Sequence, residues 1–116
     1  MMLSTLNLFI FCIEQKEFKY KIVSRDPDNI LLPYMEIQPY MNIEESIAHM
    51  ISCYIKNYNT SQINYKFSDI SIEDNIDLYY YTFLHYEPEL KNSFTIPVKQ
   101  YEKNLPNIQK IIGALH

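Results

Sequence analysis

Hydrophobic and polar positions change their period several times along the chain, and each change marks an element. "TLNLFIFCIE" (5–14) is apolar almost without interruption and rich in β-formers, the pattern of a central strand covered on both faces. "QKE" breaks the run, and "FKYKIVS" (18–24) then alternates apolar with polar positions as a hairpin partner does. "RDPDN" is a loop around Pro27. "ILLPYMEIQPYM" (30–41) carries Pro33 and Pro39 and must be irregular or short-stranded, because proline removes a backbone donor.

The period then becomes helical. Ile43, Ile47, Met50, Ile51 and Tyr54 form one apolar stripe. Asn42 is placed to cap the helix, with Glu45 where a capping box needs it, and "NYNTSQ" ends it near Asn57. "INYKFSDISI" (63–72) and "IDLYYYTFLHY" (76–86) predict two strands joined by "EDN", the second being the most β-prone segment of the chain. "EPELKNS" is a loop. "FTIPV" (94–98) is a short strand whose Pro97 belongs on an edge. Residues 99–115 predict a final helix capped by Asn104, with Pro106 in its first turn and Gly113 near its end. The succession predicts a single α+β domain over 1–116, a mixed sheet between helices, with no repeat and no linker.

Composition narrows the functions. A length of 116 residues supports one core, and 47% hydrophobic with 21% charged residues is ordinary for a soluble globular chain. A net charge of −4 argues against a nucleic-acid partner, and the lysines at 16, 19 and 21 interleave with Glu14 and Glu17 as on a solvated strand edge. The chain has one Gly, so it can build neither a P-loop nor a dinucleotide fingerprint. Eleven Tyr, ten Asn and seventeen Ile point to an AT-rich genome of the kind many phages carry. Cys12 and Cys53 both sit in apolar runs and read as small buried hydrophobes in a reducing, cytoplasmic compartment. The opening apolar run is too short to span a bilayer and lacks a basic leader, so it reads as a strand, with no membrane partner.

The order of elements and the stretch "LLPYMEIQPYMNIEESIAHMISCYIKN" (31–57) resemble the Nudix hydrolase family over nearly the whole chain. The family's signature follows Leu-Pro with glycines and a Glu, then Arg-Glu-apolar-x-Glu-Glu-x-Gly on a helix. Laid on this sequence without a gap, Leu32 and Pro33 keep the Leu-Pro, and Ile51 keeps the apolar position. Tyr34 and Met35 replace the glycines, and Met41 replaces the first Glu. His49 and Met50 replace Arg-Glu, Cys53 and Tyr54 replace the Glu pair, and Lys56 replaces the last Gly. In the family the helix carboxylates hold Mg²⁺ or Mn²⁺ against a diphosphate. A thioether, a thiol and a phenol are not ligands for a hard cation near neutral pH. The resemblance therefore implies the fold without the chemistry: no catalytic residue, no metal and no cofactor.

The remaining candidates are weaker. Glu36, Glu44 and Glu45 could form a relocated acid set for hydrolysis of nucleoside diphosphate derivatives, or the domain could sense a nucleotide without turnover. A capping Glu45, a first-turn Glu44 and a solvated Glu36 account for the same residues. Cys53 and His49 share a helix face, the one dyad spacing in the chain, although no glycine stands nearby for an oxyanion hole. His85 and His116 are isolated, and Asp69, Glu73, Asp74 and Asp77 read as a solvated hairpin turn. Tyr34, Met35, Tyr40 and Met41 on the loop, with Tyr79 and Tyr81 on the aromatic strand, form the expected binding surface, since Tyr and Met are favoured where proteins meet. The expectation is a non-catalytic accessory module, of viral or phage type, with a protein partner and possible homo- or hetero-oligomers.

Overall fold

The computed structural model describes residues 3–14, 16, 19–38, 40–59, 63–84 and 86–98. The final helix expected over 99–115, together with His85 and His116, lies outside the described residues. Among the described residues seven elements follow one another: β1 (Ser4–Glu14), β2 (Lys19–Ser24), β3 (Tyr34–Glu36), α1 (Ile43–Tyr54), β4 (Tyr65–Ile72), β5 (Ile76–Leu84) and β6 (Phe94–Pro97).

The strands form one mixed sheet in the order β4-β5-β1-β2-β6, with β3 also pairing β1. β1 is long enough to hold two short partners on one edge. Its first half takes β3 antiparallel (Thr5↔Glu36 to Asn7↔Tyr34) and its second half takes β2 antiparallel (Phe11↔Ile22 to Glu14↔Lys19). Its other edge is occupied by β5, parallel from Ser4↔Ile76 to Cys12↔Leu84. Pro97 lies on the outermost strand of the β2 side, where its missing N–H leaves no gap in a central ladder.

Burial follows the alternation of β1. Leu6, Leu8, Ile10 and Cys12 point to one face and pack with Ile47, Met50 and Ile51 of α1. Phe9 and Phe11 point to the other and pack with Ile22, Tyr81, Ile96 and Val98. Each fully buried Leu, Ile or Phe contributes about 1.5–3 kcal/mol over its exposed state, so a strand feeding two cores is the centre of stability. Two sequence expectations are corrected. Tyr81, assigned to a partner surface, is 9% exposed and belongs to the second core. Cys53, read as buried, is exposed, because the helical period and not the apolar run around it sets its direction.

Candidate functional site

The approach to the helix is organised by residues that carry no signature. Ser24 is fully buried at the end of β2; its hydroxyl donates to the Asn29 carbonyl (2.6 Å) and accepts from the Leu31 and Asp26 amides. Together with the Arg25 amide, which donates to the Leu31 carbonyl at 2.9 Å, and the Asp26 carboxylate, which accepts from the Asp28 and Asn29 amides, this hydroxyl closes the 25–31 loop. The closed loop delivers Leu32 and Pro33 to the edge of β1, where the Leu8 amide donates to the Pro33 carbonyl at 3.0 Å. Arg25, the chain's single arginine, donates from Nε to the Leu32 carbonyl (3.0 Å) and places its guanidinium 4.6 Å from the centre of the Tyr34 ring. Neither Ser24 nor Arg25 belongs to a motif in the sequence. Their signal was a lone Arg beside a loop that ends in an exposed aromatic.

Helix α1 begins as its residues dictate. Asn42 Oδ1 accepts from the Glu45 amide at 2.7 Å, and Glu44 and Glu45 lie in the first turn, where the helix dipole favours them. Its end has no basic residue of its own. The loop before β6 supplies one: Lys91 Nζ donates to the Ser52 carbonyl (3.1 Å), while the Lys91 amide and the Ser93 hydroxyl both donate to the Tyr54 carbonyl. Ile55 bridges Leu90, and Asn57 turns the chain away at φ 56°, a left-handed conformation that Asn tolerates.

The helix divides the signature positions between core and solvent. Met50 is 2% exposed inside the first core, and Tyr54 is half-buried against the same cluster. His49 and Cys53 point outward together, with Cys53 Sγ 3.7 Å from His49 Nε2. Met35 is half-buried in β3 and packs on the first core; Met41 is half-buried just before the cap. These donors do not fit Mg²⁺ or Mn²⁺: Met35, Met50 and Tyr54 pack on hydrocarbon, and none of the side chains offers an anionic oxygen. Glu36 on β3 and Glu44 and Glu45 on the first turn are each exposed, and no group of three or more His, Cys, Asp or Glu gathers among the described residues.

The proposed aromatic surface is also divided. Tyr34 and Tyr40 are exposed, at 55% and 82%. Tyr34 and Tyr79 both register with Asn7 and therefore flank it on the face away from α1, while Met35, in register with Leu6, goes to the opposite face. Tyr79 is half-buried, 6.1 Å from the Phe9 ring. Burial, and then the acids Asp77, Asp69 and Glu73, push its phenol up. Elsewhere, an open groove of about 290 Å³ is lined by Tyr58, Asn59, Asn64, Thr82, Phe83, Leu84 and Tyr86. None of these carries a charge at neutral pH, and Tyr58 is held above its usual range by burial and then by Tyr86.

Comparison with solved structures places this architecture. The chain has a Nudix-like α+β fold. It is similar to a diadenosine tetraphosphate (Ap4A) hydrolase from C. elegans (TM-score 0.69, 10% identity, all of both chains covered). It is equally similar to the NUDIX domain of Shewanella oneidensis NrtR, determined in complex with ADP ribose (TM-score 0.69, 11% identity, all of this chain and 90% of that one). A MutT/nudix family protein from Enterococcus faecalis aligns at TM-score 0.63 and 12% identity over 84% of this chain, which spans 44% of that protein's length. No family model matches the sequence, and no curated protein matches it. Likeness at these identities is a likeness of fold. No described helix is long and apolar enough to cross a membrane.

Proposed function

We propose that this chain is a non-catalytic Nudix-like domain that works as a protein-binding or structural accessory module. The observation that carries the proposal is the position of Met50. Where the Nudix signature has a helix acid, this chain has a thioether 2% exposed among Ile47, Ile51 and Leu8. A carboxylate there would be stripped of water, and a metal would find hydrocarbon. Tyr54 extends the same packing, and the acids that could replace the lost ones stay apart on β3 and the first turn of α1. The helix face has become core. The exposed Tyr34 and Tyr40 remain as a surface suited to a protein partner. A cytoplasmic accessory protein of a virus or phage fits the AT-rich composition and small size.

Thermal unfolding with millimolar Mg²⁺ or Mn²⁺, alone and with ADP ribose or diadenosine tetraphosphate, tests this reading. These ligands are taken from the solved relatives. A ligand at a hundred times its dissociation constant adds about 2.7 kcal/mol, several degrees for a domain of this size. The expected result is an unchanged midpoint and no hydrolysis product. A metal-dependent rise accompanied by product would overturn the proposal. A metal-independent rise without product would mark a nucleotide-sensing domain instead.

A further inference from the structure

We infer that β4 is a self-pairing edge, and that two copies of this chain join β4 to β4 in antiparallel register to continue their sheets into one. The inference does not depend on whether the domain hydrolyses anything. Among the described residues no strand pairs with the outer edge of β4, which has eight residues. It also exposes three large apolar side chains: Phe67 at 53%, Ile70 at 46% and Ile72 at 62%. An edge of this length and character is a template for strand addition.

The bulge in β4 selects the partner. Lys66 pairs Tyr81 and Asp69 pairs Tyr79, with one extra residue inserted between Phe67 and Asp69. Lys66 and Asp69, three apart in sequence, would lie on opposite faces of a regular strand. The extra residue returns them to the same face, while Tyr65, Phe67, Ile70 and Ile72 share the other. A second β4 laid antiparallel about a two-fold axis between Phe67 and Ser68 sets Lys66 opposite Asp69 of the other copy. The symmetry repeats that contact with the roles exchanged. The same register sets Tyr65 opposite Ile70 and Ile63 opposite Ile72, with Phe67 opposite Ser68, so apolar side chains flank the axis on one face and opposite charges meet on the other. Directly opposed side chains stand about 5 Å apart at Cβ, close enough for a Lys–Asp pair. Charges and bulges on an edge usually block strand addition. Here the two charges have opposite signs, and the two-fold register sets each against the opposite charge of the second copy. The Asp69 carboxylate accepts from the Ile70 amide of its own strand at 2.8 Å.

Sedimentation equilibrium of the full chain tests the pairing with Lys66→Asp, Asp69→Lys and the double exchange, each checked for folding by circular dichroism. The wild type is expected to dimerise. Either single substitution places like charges opposite each other twice and should weaken association about tenfold or more, and the double exchange should recover most of that loss. Hydrogen exchange on the wild type needs no variant and should show protection of β4 amides that rises with protein concentration. A monomer up to about 100 µM, a dimer whose β4 amides exchange independently of concentration, or a double exchange no better than the singles would each overturn the inference.

Discussion

Met50 and Cys53 lie within one turn of α1, yet the first is packed in the core and the second stands in solvent beside His49. The difference follows from the helical period alone: Met50 joins the stripe of Ile47, Ile51 and Tyr54, and Cys53 joins His49 four residues earlier. Placing an acid at each position should therefore have unequal effects. Met50→Glu places a carboxylate among Ile and Leu side chains, and urea unfolding should show a loss of about 3 kcal/mol or more. Cys53→Glu should stay within about 0.5 kcal/mol of the wild type. Equal stability of the two variants would mean that position 50 opens to water, and the non-catalytic reading would lose its support. The stripe was legible in the sequence because one face of a helix repeats. The exposure of Cys53 was in the same pattern and was obscured by reading its apolar neighbours as a run. Tyr81 was not legible, since the alternation of β5 does not say which of its two faces another part of the chain covers.

Elements were read correctly where the cause is local. Asn42 and Glu45, two prolines and an alternating segment fixed α1, the short β3 and β2, because capping, a missing N–H and a period of two act over a few residues. Asn42→Ala should cost about 1 kcal/mol, while Asn42→Asp or Asn42→Ser keeps an acceptor for the Glu45 amide and should cost only a few tenths. Equal losses for Ala and Ser would show that the cap contributes nothing to stability. What arrives from far along the chain was not legible. The cation at the end of α1 is Lys91, and the strand parallel to β1 is β5, whose Leu84 registers with Cys12. The bulge at Phe67–Asp69 has no glycine to announce it and shows only in the register against β5. The groove beside Tyr58 and Tyr86 likewise needs β5 and the chain beyond α1 to meet.

At the scale of the whole molecule, β1 is the strand on which everything converges, with β5 on one edge, β2 and β3 on the other, and a core on each face. The Leu32-Pro33 approach and α1 both pack on or bond to this strand. Cys12 sits on β1 in the first core, 1% exposed, and burial pushes its thiol up from an ordinary 9.0 to about 11, only partly offset by Lys21. Between these values the unfolded chain has lost this proton and the native protein keeps it. Unfolding then releases a proton, so rising pH favours the unfolded state. The stabilisation from the neutral buried thiol is fully present below about pH 9 and is lost as pH rises through about 11. The slope from Cys12 alone is at most about 1.4 kcal/mol per pH unit. Tyr58, Tyr79 and Tyr86, all raised chiefly by burial, act in the same direction at higher pH. Urea unfolding at pH 8 and pH 10.5 separates the contributions: Cys12→Ala should lose roughly 2 kcal/mol less than the wild type across that interval, whatever its stability at pH 8. The tyrosines leave the same residual fall in both proteins. Parallel falls in wild type and variant would mean that Cys12 ionises in the native protein as it does in the unfolded chain. The first core would then admit water at the centre of the sheet, against the packing of Leu6, Leu8 and Ile10 beneath α1.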